Sequence, residues 1–196
     1  MATTKILERI LVGLSCLVVA LACSGCVTYP CCVTYFGDDG PYEGRVIDQD
    51  TRQPILGAVV HGTWVKANFG PGGVTSTYYD SREVLTDANG DFSIPGQGVL
   101  IFSNVEEMMF TIFKAGYKQQ GLCPWSGMLN NKYNKDIEFY NKRAIFKLKK
   151  LSIEQRKKTG VDLPSVPKEN KKLFIIERNK EIKELGYPSN YLIPED

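Results

Sequence analysis

Between residues 44 and 95, short apolar runs alternate with tight-turn residues, and this spacing constrains the fold more than any other feature of the chain. The stretch reads Gly-Arg-Val-Ile-Asp, then Thr-Arg-Gln-Pro-Ile-Leu-Gly-Ala-Val-Val, a variable insert, and Leu-Thr-Asp-Ala-Asn-Gly-Asp-Phe-Ser-Ile-Pro. Such a pattern predicts a mainly β chain built as a small sandwich. Strands are expected at 43–48, 57–66, 76–86, 91–94 and 110–114. A last strand at 143–149 alternates apolar Ala144, Phe146 and Leu148 with Ile145, Lys147 and Lys149, so one face is expected to be buried. Asp87-Ala-Asn-Gly90 is expected to close a hairpin, because Asn and Gly tolerate the positive φ of a two-residue turn. Residues 106–109 read as a short helical turn. Ala58 and Val60 share one strand face, as do Phe92 and Ile94, and all four are expected in the core. Burial of Phe92 alone is worth roughly 2–3 kcal/mol.

Four motifs in order resemble the carboxypeptidase regulatory-like domain. They are Gly44-x-Val46-x-Asp48, Thr51-x-x-Pro54-Ile55-x-Gly57-Ala58-x-Val60, Thr86-Asp87-x-x-Gly90-x-Phe92-x-Ile94 and Lys114-Ala115-Gly116-Tyr117. The resemblance implies a single transthyretin-like (prealbumin-like) seven-stranded β-sandwich over residues 43–150. Two stretches depart from it, a long insert at 67–82 and a long segment at 118–142. Members of that family serve as accessory units beside peptidases, transporters and adhesins.

The N-terminus carries Lys5 and Arg9, an apolar run of 13 residues at 10–22, and then Cys23-Ser24-Gly25-Cys26. A basic region, an apolar core shorter than the roughly 18 residues of a membrane span, and small residues beyond it read as a signal peptide. Ser24-Gly25-Cys26 resembles the end of a bacterial lipoprotein signal, with Cys23 where that signal usually has Leu, Val or Ile. The resemblance implies cleavage after residue 25, diacylglycerol and further acyl chains on Cys26, and a stable membrane anchor. Cys23 is the alternative attachment site. Val27 leans towards an outer-membrane address, with the domain periplasmic or surface-exposed. Residues 26–42 show no periodicity and read as a tether. An exported compartment permits disulfides, and the expected pairing is Cys123 with Cys32 or with its neighbour Cys31.

Little in the chain suggests chemistry. His61 is the only histidine and stands at no triad spacing from a nucleophile and carboxylate, so it is expected at the surface or at a sheet edge, without a catalytic role. One histidine and no paired Cys-x-x-Cys argue against a metal site. Asp87-Ala-Asn-Gly-Asp91 lacks the Gly and Glu positions of a calcium loop and is read as turn chemistry. A net charge of +2 gives no case for nucleic acid. No cofactor is implied apart from the lipid on Cys26. If the chain recognises a ligand, the expected place is the two departures from the family pattern, through Phe69, Tyr78 and Tyr79 in the first and Trp125 and Tyr133 in the second.

Residues 151–196 form a C-terminal helical appendage. Ser152 and Gln155 stand at the spacing of a capping box, and Gly160 can end that helix. A second helix is expected at 169–185, with Phe174, Ile175, Ile182 and Leu185 along one stripe and Lys180 and Lys183 off it. Residues 141–196 hold 14 Lys/Arg against 8 Asp/Glu, so this end is basic. The function expected is a non-catalytic lipoprotein, a structural or binding module of a bacterial cell envelope that contacts the membrane and an envelope protein or glycan. The alternatives are a subunit of an envelope assembly that docks through the basic helix, and a transthyretin-related hydrolase. The single histidine counts against the latter.

Overall fold

A computed structural model of the chain describes residues 35–124, 136–140 and 143–195. Their strands are β1 (Tyr35–Asp39), β2 (Tyr42–Asp48), β3 (Val59–Gly70), β4 (Gly73–Leu85), β5 (Asp91–Ile94), β6 (Gly98–Ser103), β7 (Met109–Phe113), β8 (Gln120–Pro124), β9 (Ile137–Tyr140) and β10 (Arg143–Leu148). Two helices follow, α1 (Ile153–Thr159) and α2 (Lys172–Glu184). The chain is thus mainly β. One four-stranded sheet has the order β5-β2-β10-β9, a second the order β4-β3-β7-β8, and β1 pairs with β6 alone. All pairings are antiparallel except β2 with β10.

The two larger sheets stack face to face because each strand carries an apolar row at period two. Val46, Phe92, Ile94, Ala144, Phe146 and Leu148 from one sheet meet Ala58, Val60, Trp64, Phe110 and Ile112 from the other. The rings of Phe110 and Phe146 stand 4.9 Å apart across the layer. The four core residues expected from alternation are all buried, and β10 buries Ala144, Phe146 and Leu148 as its sequence indicated. Gly57 leaves the Pro54 turn with φ 69°, a conformation that residues with a Cβ resist.

Several expectations are corrected. β4 and β5 lie in different sheets, so the Asn-Gly turn makes no hairpin and instead carries the chain across the stack. Gly90 alone takes positive φ, 75°, while Asp87 Oδ1 accepts from the N–H groups of Asn89 and Asp91. The crossing is fixed from both sides. Buried Thr86 donates its hydroxyl to Ile55 O and accepts from Ala58 N–H, and Val46 N–H donates to Gly90 O. The strand expected at 76–86 begins earlier, at Gly73, and the insert at 67–82 forms the distal arms of one long β3–β4 hairpin joined at Pro71-Gly72. Residues 106–109 form no helical turn, because Glu106 N–H is committed to Val65 O and Val105 bridges Lys66. The stretch at 118–142 contributes β8 and β9.

The tether assignment also ends too late. Residues 35–42 belong to the fold, and Asp39 is their anchor. Its carboxylate, 2% exposed, accepts from the Tyr42 hydroxyl, from Trp64 Nε1 at 2.9 Å and from Gln97 N–H at 2.7 Å. Burial, then the bond to this carboxylate, pushes the Tyr42 hydroxyl well above the ordinary phenol range. Three donors converge on one carboxylate, so removing it takes the shared acceptor from all three at once. Asp39→Ala is expected to lower stability by about 2–4 kcal/mol in urea unfolding, while Asp50→Ala on the exposed turn stays within about 0.5 kcal/mol.

Candidate binding groove

On β3, Val59, His61, Thr63 and Val65 point away from the shared core. Water would cover this face in a plain two-layer stack. Here His61 is only 1% exposed, so the expectation of a surface or edge histidine is wrong. The cover is the C-terminal appendage. Val59 and Phe113 form a second apolar cluster with Phe174 of α2, and Val161, Leu163 and Leu173 pack against it. The Phe113 and Phe174 rings lie 5.5 Å apart, and the His61 ring meets Phe174 edge-on at 6.5 Å. The apolar stripe of the second helix is therefore a docking face.

Reciprocal carboxylate caps fix the appendage in place. The residue preceding α2, Lys171, offers no side-chain cap. Instead Glu83 of β4 accepts from Leu173 N–H at 2.9 Å and Phe174 N–H at 3.0 Å. The sheet thereby satisfies donors that a helix start leaves open. Burial pushes the Glu83 carboxyl up, and these two bonds oppose that rise. In return, Glu177 and Glu181 of α2 accept from Ala115 N–H at 3.0 Å and Gly116 N–H at 2.8 Å, in the turn after β7. Lys114 pairs with Glu177 at 3.2 Å and donates to Gly57 O. Arg156 of α1 donates to Glu181 and Glu184, each at 2.7 Å, and the Ser152–Gln155 capping box forms as its spacing indicated.

His61 belongs to the same seam. Its Nε2 lies 3.1 Å from Asn170 O, which can only accept, so Nε2 carries the proton and Nδ1 accepts from the Thr63 hydroxyl at 3.2 Å. Burial, helped by the charge of Lys171, lowers the imidazole to about 4, and the ring is neutral at pH 7.

Residues 163–166 run beside the hairpin and leave a groove of about 540 Å³ along the outer face of β3. Thr63, Val65, Ser76, Tyr78 and Met109 form its floor, and Leu163 to Val166 form its wall. None of these lining residues carries a charge at pH 7. The Tyr78 hydroxyl accepts from Asn170 Nδ2 and lies 3.0 Å from Ser81 Oγ, so its ring is held in the floor. Hydroxyls and aliphatic surface suit an uncharged or extended ligand, and the Thr63 hydroxyl of the floor donates to the His61 Nδ1 behind it.

The structure separates the residues singled out from sequence. Tyr78 lines the groove. Tyr79 lies under Lys66 Nζ, 4.3 Å from its ring, on the far side of the hairpin. Phe69 stands near the hairpin tip, 48% exposed, opposite Val74. Trp125, Tyr133, the Cys26 attachment site and the candidate disulfide partners Cys31 and Cys32 fall outside the described residues, while Cys123 stands on β8 opposite Phe110. Thr63, Val65, Met109, Leu163 and Val166 were missed. For Thr63 and Val65 the signal is present in β3, where apolar or β-branched residues occupy both faces, the mark of a strand covered on both sides.

Among the described residues no group of three or more His, Cys, Asp or Glu side chains is placed to hold a metal ion. No described helix is long and apolar enough to cross a membrane. Compared with known proteins, the chain matches no family model, no curated protein and no solved structure.

The seam carries a pH dependence of known sign. The His61 pKa is about 4 folded against 6.5 unfolded, so the neutral ring's contribution is complete above pH 6.5 and is lost as pH falls towards 4. Over that window wild type is expected to lose roughly 3 kcal/mol more than His61→Gln, as read from urea unfolding of both proteins. Glu83 is present in both proteins and shifts the other way. Equal pH slopes would contradict the buried neutral histidine.

Proposed function

We propose that this chain is a non-catalytic, lipid-anchored binding module of a bacterial cell envelope, with the groove beside Tyr78 as its recognition surface. One observation carries the reading. The strongly patterned motif residues are consumed by the scaffold, while an uncharged groove stays open. Val46, Ala58, Val60, Phe92 and Ile94 are core, Thr86 and Gly90 fix the crossing between sheets, and Tyr117 donates to Asp48 at 3.1 Å. Two stacked antiparallel-rich sheets are what a transthyretin-like, carboxypeptidase regulatory-like domain requires, with β1, β6, β8 and β9 in stretches that the motifs do not cover. His61 is enclosed and bonded to Asn170 O, which argues against the hydrolase reading.

An envelope-assembly role is the second reading. It is favoured by the outer face of α2, where Lys172, Ile176, Lys180 and Lys183 are exposed while the opposite face docks. Both readings rest on the anchor. Labelled palmitate is expected to enter wild-type protein in growing cells and to be lost in Cys26→Ala, with the chain moving from the membrane to the soluble fraction. Labelling unchanged in that variant would overturn the anchor, and labelling lost only in Cys23→Ala would move it.

A further inference from the structure

The β3–β4 hairpin extends well beyond the part that the rest of the protein covers. Near its base, Arg82 donates to the carbonyls of Pro95 and Gly96 and Glu83 caps α2, so the edge of β4 is occupied there. Towards the tip this cover stops. β4 is the edge strand of its sheet, and among the described residues no strand pairs with its free side. The exposed part reads Gly73-Val-Thr-Ser-Thr-Tyr-Tyr79, with no charge and no proline. An edge normally carries lysine, proline or a covering segment, because its unpaired N–H and C=O groups template another strand. This one has neither lysine nor proline over seven residues, and the segment before α2 reaches it at Tyr78, whose hydroxyl accepts from Asn170.

We propose that β4 pairs with β4 of a second copy of this chain, antiparallel and centred on Ser76, which joins the two β4-β3-β7-β8 sheets into one. The sequence about that point is self-complementary. With Ser76 on the two-fold axis facing itself, Thr75 faces Thr77 and Val74 faces Tyr78 of the second copy. Threonine pairs and aromatic pairs with β-branched residues are favoured across antiparallel strands. The register within each hairpin extends the match. Val74 is opposite Phe69 and Tyr78 is opposite Val65, so each side of the axis gains a row Phe69–Val74–Tyr78–Val65 across four strands. That row covers Phe69 and Val74, 48% and 56% exposed in the single chain. Residues 73–79 are themselves uncharged, so a two-fold pairing sets no like charges of β4 against each other; the nearest carboxylate is Glu106, which accepts from the Ser76 hydroxyl at 3.4 Å. The same neutrality disfavours a charged peptide as the occupant. The inference concerns the edge of the hairpin and holds whether or not the groove binds a ligand.

The test uses the full chain in mild detergent. Ser76→Cys places two thiols at the axis, and an oxidised dimer is expected that forms neither in wild type, which has the same native cysteines, nor in the distant control Glu154→Cys. In sedimentation, wild type is expected to dimerise with rising concentration. Ser76→Lys sets two like charges face to face and should weaken the dimer about tenfold or more. Mixing the Ser76→Lys chain with a Ser76→Glu chain should restore a dimer containing one of each, a rescue that a merely misfolded variant cannot give. A wild-type chain that stays monomeric, a position-76 thiol that links no faster than the control, or a mixture without rescue would each overturn the proposal.

Discussion

The structure depends on a reciprocal exchange of carboxylates between the β3-containing sheet and α2. Glu83 of the sheet caps the start of the helix, and Glu177 and Glu181 of the helix cap the turn after β7. Each carboxylate satisfies backbone donors that its partner element leaves open, and charge-assisted bonds of this kind are stronger than neutral ones. Neither element is complete alone. The helix lacks a local cap, and the sheet's outer face carries Val59 and Phe113, which water would otherwise cover.

From that exchange the remaining architecture follows in order. With α2 fixed, Phe174 completes a second apolar cluster and encloses His61, whose ring then serves as a neutral hydrogen-bonded spacer. The segment that leads into α2 is laid along the sheet, and its path leaves the uncharged groove beside Tyr78. The histidine that would tempt an enzymatic reading is thus spent on the device that creates the groove. Binding at this surface would act on a wall made of residues 163–166, which α2 holds in position.

How much of this is legible in the sequence depends on the range of the interaction. The Ser152–Gln155 cap is legible because both partners lie within one helical turn. The alternation of β10 and the core positions of Ala58, Val60, Phe92 and Ile94 are legible because a pleated strand has only two faces. The Asp87–Gly90 turn is recognisable as a turn, yet which strands it joins is decided by Thr86 and Val46 bonds to distant residues. Asp39 looks like part of a polar tether until Tyr42, Trp64 and Gln97 converge on it. His61 looks solvent-facing because the cover that buries it begins about a hundred residues later. The groove escaped for the same reason, since floor and wall come from opposite ends of the chain.

The appendage and the sheet form one cooperative unit sealed by these caps. Native-state hydrogen exchange tests it most directly at the amides of Ala115, Gly116, Leu173 and Phe174. All four are expected to open with the same free energy as the amides of Val60 and Ile112 in the core strands. Exchange of the four at the rates of exposed turns, with the core strands still protected, would contradict it.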